Sequence, residues 1–280
     1  MSEDDLRPAW SQQFTPDAIQ ELLAQGPFAR ITPDWAWGSS TGKGVRVAVV
    51  DSGVEYDHPA LGNSVCGGVI VEYDAKAKNG FRIKPDEHPT DVSGHGTACA
   101  GIIHSIAPEA EIYSVRVLGR NMGGRAIQFA AGLDWAIENG MQVVNLSLST
   151  SLEEFFGLFH DLADQAYFKN MNLICAVNNI PEPSYPSLFS SVISCAAHNG
   201  KDPFTYYYNT SPPVEFGAPG IDIDVAWNKG QYLTCTGNSF AAPHITGITA
   251  LIRAKHPDLT PFQVKTVLLA CAANTRRKGK

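Results

Sequence analysis

The chain has 280 residues, 44% hydrophobic and 18% charged, with a formal net charge of -7, a composition that suits one domain around a single large core. That acidic balance argues against nucleic acid as a partner, since phosphate binding relies on clustered Lys and Arg. No apolar run reaches the roughly 18 residues that span a bilayer, and the start, Met1-Ser2-Glu3-Asp4-Asp5, is acidic where a secretory leader is basic, so the sequence reads as cytoplasmic with no membrane partner.

Residues 1–13 are polar and carry no periodicity. Thr15-Pro16-Asp17 predicts a short helix with Ile19, Leu22 and Leu23 on one face and Gly26 as its stop, and a second short turn is expected over 32–37. Gly42-Lys43-Gly44 then leads into Val45-Arg46-Val47-Ala48-Val49-Val50, a β-branched run that reads as a buried strand ending at Asp51-Ser52-Gly53. The carboxyl edge of a parallel strand is where ligands and catalytic groups gather. Alone, Asp51 is as readily the start of a glycine turn.

Val69-Ile70-Val71, Asn79-Gly80 and Phe81-Arg82-Ile83 predict a surface hairpin or meander. The nearby Asp86, Glu87 and Asp91 read as solvated surface carboxylates. Ser93-Gly94-His95-Gly96-Thr97 opens a helix with His95 in its first turn, between small neighbours that leave an imidazole room to reach a partner. Strands are expected over 112–117, 143–148, 173–177 and 192–197, with helices over 126–139 and 152–170, the βαβ rhythm of a sheet covered on both faces. Residues 204–232 read as loop with short extended pieces. A helix from about Ser239 and another over 261–273 close the domain. The expected fold class is α/β, doubly wound around a mainly parallel sheet, with an N-terminal extension (1–34), one domain (35–273) and a basic tail (274–280).

Thr236-Gly237-Asn238-Ser239-Phe240-Ala241-Ala242-Pro243-His244 places one serine between a glycine turn and the first turn of an apolar helix. Small residues let a substrate approach, and the helix start aims free N–H groups at whatever oxygen sits there. That suits a nucleophile beside an oxyanion site; on its own it equally suits a capping serine before a buried helix. Joined by Asp51 and His95, in the chain order Asp, His, Ser, it resembles the subtilisin-like serine proteases, the subtilases. Asp51-Ser52-Gly53, His95-Gly96-Thr97 and Gly237-Asn238-Ser239-Phe240-Ala241-Ala242-Pro243 are similar to that family's three signature motifs. The likeness continues through Ala107-Pro108, Val143-Val144-Asn145-Leu146-Ser147-Leu148, Tyr185-Pro186 and Ala218-Pro219-Gly220, covering about 35–273.

The resemblance implies a subtilisin-like fold and a serine endopeptidase acting on peptides or proteins as a monomer, with no cofactor. In it Ser239 is the nucleophile, His95 the general base and then acid, and Asp51 the group that orients His95. It further implies Asn178 as the second oxyanion donor, with the adjacent Asn179 as the alternative register. An extended substrate is expected along Gly123, Gly124 and Arg125 on one side and Ser147, Leu148 and Ser149 on the other. Departures from the family pattern are Asn238 for Thr, Phe240 for Met, and Val177 for the Gly before the oxyanion Asn. Two other readings stay open: a transpeptidase or macrocyclase using the same acyl-enzyme, which needs a cover over the site, and a non-catalytic peptide-binding scaffold. The narrowest reading is a processing enzyme for one precursor peptide.

The six cysteines, Cys66, Cys99, Cys175, Cys195, Cys235 and Cys271, form no Cys-x-x-Cys pair and read as reduced thiols. No zinc-ligand spacing stands out, so no metal is expected. Cys99 lies one helical turn after His95 on the same face, and His95-Gly96-Thr97-Ala98-Cys99-Ala100-Gly101 resembles thiol-dependent subtilases. Residues 101–108 pass straight towards the next strand, leaving no room for the calcium loop that interrupts this helix in many subtilases.

Overall fold

The computed structural model of the protein describes residues 31–211 and 213–275. The helix expected over residues 15–26 and the basic run Arg276–Lys280 lie outside them. The first element described, α1 (Pro33–Ala36), is capped by Thr32, whose Oγ1 accepts the Trp35 N–H at 3.2 Å.

The frame is one nine-stranded sheet, ordered β3-β2-β4-β1-β5-β6-β7-β9-β8. Its middle consists of β1 (Arg46–Asp51), β4 (Glu111–Arg116), β5 (Val143–Leu146), β6 (Asn172–Ala176) and β7 (Ile193–His198), all parallel. On one side β2 (Val65–Tyr73) joins β4 in parallel and carries the antiparallel β3 (Phe81–Asp86) at the edge. On the other, β9 (Phe216–Pro219) runs parallel to β7 and the two-residue β8 (Tyr207–Tyr208) closes the edge antiparallel. The segment expected as a surface hairpin is therefore half inside the sheet. Val69 and Val71 alternate into the core while Gly68 and Ile70 do not, and nine residues of β2 are long enough to pair on both sides.

Strand β1 shows why the sheet must be covered twice. Val47 and Val49 enter one buried cluster, and Ala48 and Val50 the other, as the period of two requires. The first face is covered by α2 (His95–Ile106), α5 (Ala241–Lys255) and α6 (Pro261–Cys271), the second by α3 (Ala126–Glu138) and α4 (Phe156–Phe168). Every residue of α5 from Ala241 to Arg253 is buried, so this helix runs through the interior against β5, β6, β7 and α2 and cannot shift without disturbing all of them. Helix α2 is continuous over its whole length. A separate antiparallel hairpin, β10 (Ile223–Trp227) with β11 (Gln231–Cys235), packs on α2. Among the described residues no helix is long and apolar enough to cross a membrane.

Candidate active site

Three chain segments converge at the carboxyl ends of β1 and β5. Asp51 is the last residue of β1 and fully buried. His95 is the first residue of α2, 8% exposed. Its Nδ1 lies 2.9 Å from both carboxylate oxygens of Asp51, which fixes the proton on Nδ1 and leaves Nε2 as the nitrogen free to accept one. Asp51 Oδ1 also accepts the Ser52 N–H at 2.7 Å. Burial alone would push the imidazole below its ordinary value. The charge and hydrogen bond of Asp51, aided by the charge of Asp91, outweigh it together and hold His95 above that value.

Two glycines let these segments interlock. A Cβ on Gly94, whose φ is +111°, would lie 2.4 Å from the Trp227 indole, and one on Gly96 would lie 1.9 Å from the Gly53 carbonyl oxygen. Neither position has space for a side chain, so the first turn of α2 lies directly on the β1 turn and beneath the β10–β11 hairpin.

Ser239 lies in a 3-10 turn, Asn238–Phe240, that continues into α5, and it is partly exposed. Its carbonyl is fixed from below: Ser147 Oγ donates to it at 2.8 Å. Ser147 Oγ in turn accepts from Asn145 Nδ2 at 2.9 Å, and Thr246 Oγ1 donates to Asn145 Oδ1 at 3.0 Å. This buried chain links β5, the turn that carries Ser239, and α5. The Phe240 ring stands 5.3 Å from that of His95, centroid to centroid. Phe240 thus takes up space beside the imidazole where the family pattern has Met.

His95 and Ser239 both line a cavity of about 380 Å³ that also includes Gly124, Arg125, Ser147, Leu148, Ser149, Asn178 and Asn179. Gly123 does not line it. The Gly123 carbonyl accepts the Gly119 N–H at 2.9 Å, and the residue borders a neighbouring cavity with Tyr73 and Arg120. Ser147 reaches the cavity, but its hydroxyl is committed to Ser239. Arg125 is the N-cap of α3, lies 4.0 Å over the Tyr73 ring, and gives its main-chain N–H to Gln128 Oε1 at 3.2 Å.

The two asparagines after β6 part company. Asn179 Oδ1 accepts the N–H of Asn238 at 2.9 Å, which holds its carboxamide against the turn that carries Ser239. Asn178 Oδ1 folds back to the Ile180 N–H at 3.3 Å. Asn238 fastens the same region: its Nδ2 donates to the Asn178 carbonyl at 3.0 Å and its Oδ1 accepts from the Ala197 N–H at 2.9 Å.

One feature was missed in the sequence. Asp91, expected as a solvated carboxylate, accepts five hydrogen bonds from Ser52, Ser93, Gly94 and Thr97; its place four residues before His95 is the signal that would have found it. Cys99 is fully buried, with Sγ 3.3 Å from Ser147 Oγ, 3.6 Å from the Ser239 carbonyl and 3.9 Å from Asp51 Oδ2. Asp51, His95 and Cys99 bring oxygen, nitrogen and sulfur within 4.8 Å of one another, a donor set of the kind zinc takes. Each of these atoms already bonds to another member of the set or to Ser147 and Ser239, and burial with the Asp51 charge pushes the thiol well above its ordinary value, against the thiolate a metal needs.

A sequence model described as "Subtilase family" matches residues 42–280. The minor extracellular protease Epr of Bacillus subtilis (strain 168) is 34% identical over 244 residues, covering 82% of this chain and 35% of that protein. Thermitase of Thermoactinomyces vulgaris is 30% identical, covering 86% of each chain. Among solved structures, sphericase superposes with a TM-score of 0.68 at 25% identity, covering 85% of this chain and 87% of that one. The chain spans about a third of the length of Epr.

Proposed function

Because the chain belongs to the subtilase family, we propose that it is a serine endopeptidase working through an acyl-enzyme on Ser239. The observation that carries this reading is the bond of His95 Nδ1 to both oxygens of buried Asp51, at the rim of a cavity that Ser239 shares. Ser239 Oγ attacks the scissile carbonyl as His95 Nε2 takes its proton, and His95 then returns that proton to the leaving amine. Asp51 holds the Nδ1–H tautomer and stabilises the imidazolium. The Ser239 N–H and the Asn179 carboxamide are the proposed oxyanion donors, Asn179 being favoured over Asn178 by its bond to Asn238. Water then releases the acyl group.

Hydrolysis is favoured over transpeptidation, because between β1 and α2 the described chain holds only the 3-10 turn Pro59–Leu61 and the strands β2 and β3, with no helical cover to exclude water. The test is cleavage of a peptide library, with and without an added amine, read by mass spectrometry. Hydrolysed products alone support the reading, and amine-capped products in their place support the transpeptidase. One dominant cut site would favour precursor processing over general digestion.

A cytoplasmic monomer is part of the same proposal. Its support is that all six cysteines are unpaired, as a reducing compartment keeps them. Cell fractionation and size-exclusion chromatography test the two halves.

A further inference from the structure

Asp91 precedes α2 and touches both segments that carry the Asp–His pair. Its Oδ1 accepts the Ser93 and Gly94 N–H groups at 2.9 and 2.7 Å and the Ser52 hydroxyl at 2.8 Å. Its Oδ2 accepts the N–H and hydroxyl of Thr97 at 2.8 and 2.7 Å. Gly94, the N-cap of α2, has no side chain with which to cap the helix, so Asp91 satisfies its first turn from outside. It also reaches across to β1. Ser52, next to Asp51, gives its hydroxyl proton to Asp91 while its oxygen accepts the Gly96 N–H at 3.1 Å, and Thr97 Oγ1 accepts the Glu55 N–H at 3.0 Å. The residues flanking His95 are thereby fastened, through one carboxylate, to the residue following Asp51.

We propose that Asp91 is a positioning residue: it locks the turn after β1 to the first turn of α2, so that His95 stays aligned on Asp51. A carboxylate is needed because five donors converge on two oxygens, and an amide offers one acceptor oxygen and brings protons of its own. The titratable groups facing His95 are Asp51 from β1, Asp91 from the segment before α2, and the Cys99 thiol from α2 itself, which burial keeps protonated; the Phe240 ring on the remaining side is neutral. Among the described residues, removing the charge of Asp91 therefore leaves Asp51 as the one anion facing the imidazole. The kinetic consequences rest on the serine-peptidase reading; the effect on the His95 proton does not.

The experiment compares wild type with Asp91→Asn and Asp91→Glu. NMR follows the His95 imidazole through a pH titration, and kcat and KM are measured on one peptide with folded enzyme counted by circular dichroism. Expected for Asp91→Asn are a His95 titration displaced to lower pH and a kcat at least ~10-fold down per folded molecule, with KM within ~2-fold, as for a slight misplacement of a reacting group. Asp91→Glu, which keeps the charge, should return the titration towards wild type. An unmoved His95 titration in Asp91→Asn, or a loss of kcat accounted for by the unfolded fraction, overturns the proposal. If the wild type cuts no peptide, the peptidase reading falls while the NMR titration still decides the role of Asp91.

Discussion

Ser147 Oγ donates a hydrogen bond to the main-chain carbonyl of Ser239 at 2.8 Å, so the end of β5 and the turn that carries Ser239 are held by one hydroxyl. Asn145 Nδ2 and Cys99 Sγ converge on that oxygen from behind. Replacing Ser147 by Ala leaves the buried Asn145 donor without its partner and the Ser239 carbonyl with the Cys99 thiol at 3.6 Å in place of the hydroxyl, which costs about 1–3 kcal/mol. The expected outcome is that loss in urea unfolding with a several-fold fall in kcat and little change in KM. A variant that raised KM with kcat intact would instead make Ser147 a substrate contact.

The asparagine pair gives a sharper test. With Asn179 fastened to the Asn238 N–H, Asn179→Ala should reduce kcat by ~100-fold or more, the scale of oxyanion-donor loss in subtilisin. Asn178→Ala, which removes an acceptor for the Ile180 N–H, should cost far less. Steady-state kinetics on one peptide ranks them, and the opposite order would restore Asn178 as the donor.

Thiol reagents should act in two stages. Cys66 is exposed and lies at the start of β2, roughly five residues or ~16 Å along the sheet from the strand ends that carry the site, so its modification should leave activity intact. Cys99 is buried with its thiol held protonated, so a mercurial should reach it slowly and inhibit on arrival by disturbing Asp51 and His95. Cys99→Val should remain active and become resistant. Inhibition that keeps pace with Cys66 labelling would contradict this order.

Two histidines give opposite pH signatures. His95 is held above the ordinary imidazole value of 6.5, and its base role needs the neutral form, so the acid limb of kcat/KM should lie above that pH. The stability it contributes is present at low pH and lost as pH rises through its folded value. His244 is buried, donates from Nδ1 to the Phe240 carbonyl at 2.9 Å, and burial drives it from 6.5 to about 4. It favours the unfolded chain as pH falls below 6.5, by about 3 kcal/mol once pH reaches the folded value. Urea unfolding at pH 7 and pH 4.5 should show a steeper acid loss in wild type than in His244→Asn. Equal slopes would remove His244 from the account.

Much of the fold was legible because each strand and helix carries its own period. β1 reads from its β-branched run, and Asp51, His95 and Ser239 read from glycine-flanked motifs in a fixed order. What was not legible depends on contacts between distant segments. Asp91 looks like a surface carboxylate until α2 folds onto β1. Ser147 reads as a cleft residue, but its hold on a carbonyl 92 positions away shows only in the fold, and the choice between Asn178 and Asn179 turns on which side chain meets Asn238. Hydrophobic pattern specifies the frame, whereas polar bonds of long sequence separation specify the site.

The central claim is that Ser239 is the nucleophile activated by His95 and Asp51, and covalent labelling tests it most directly. A fluorophosphonate probe should add once to the folded wild type at Ser239, as read by intact mass and peptide mapping. Labelling should be far slower in His95→Ala and in Asp51→Asn, with the fold retained in each. No adduct should form on Ser239→Ala. An adduct that persists in Ser239→Ala, or a folded wild type that takes none, would contradict the account.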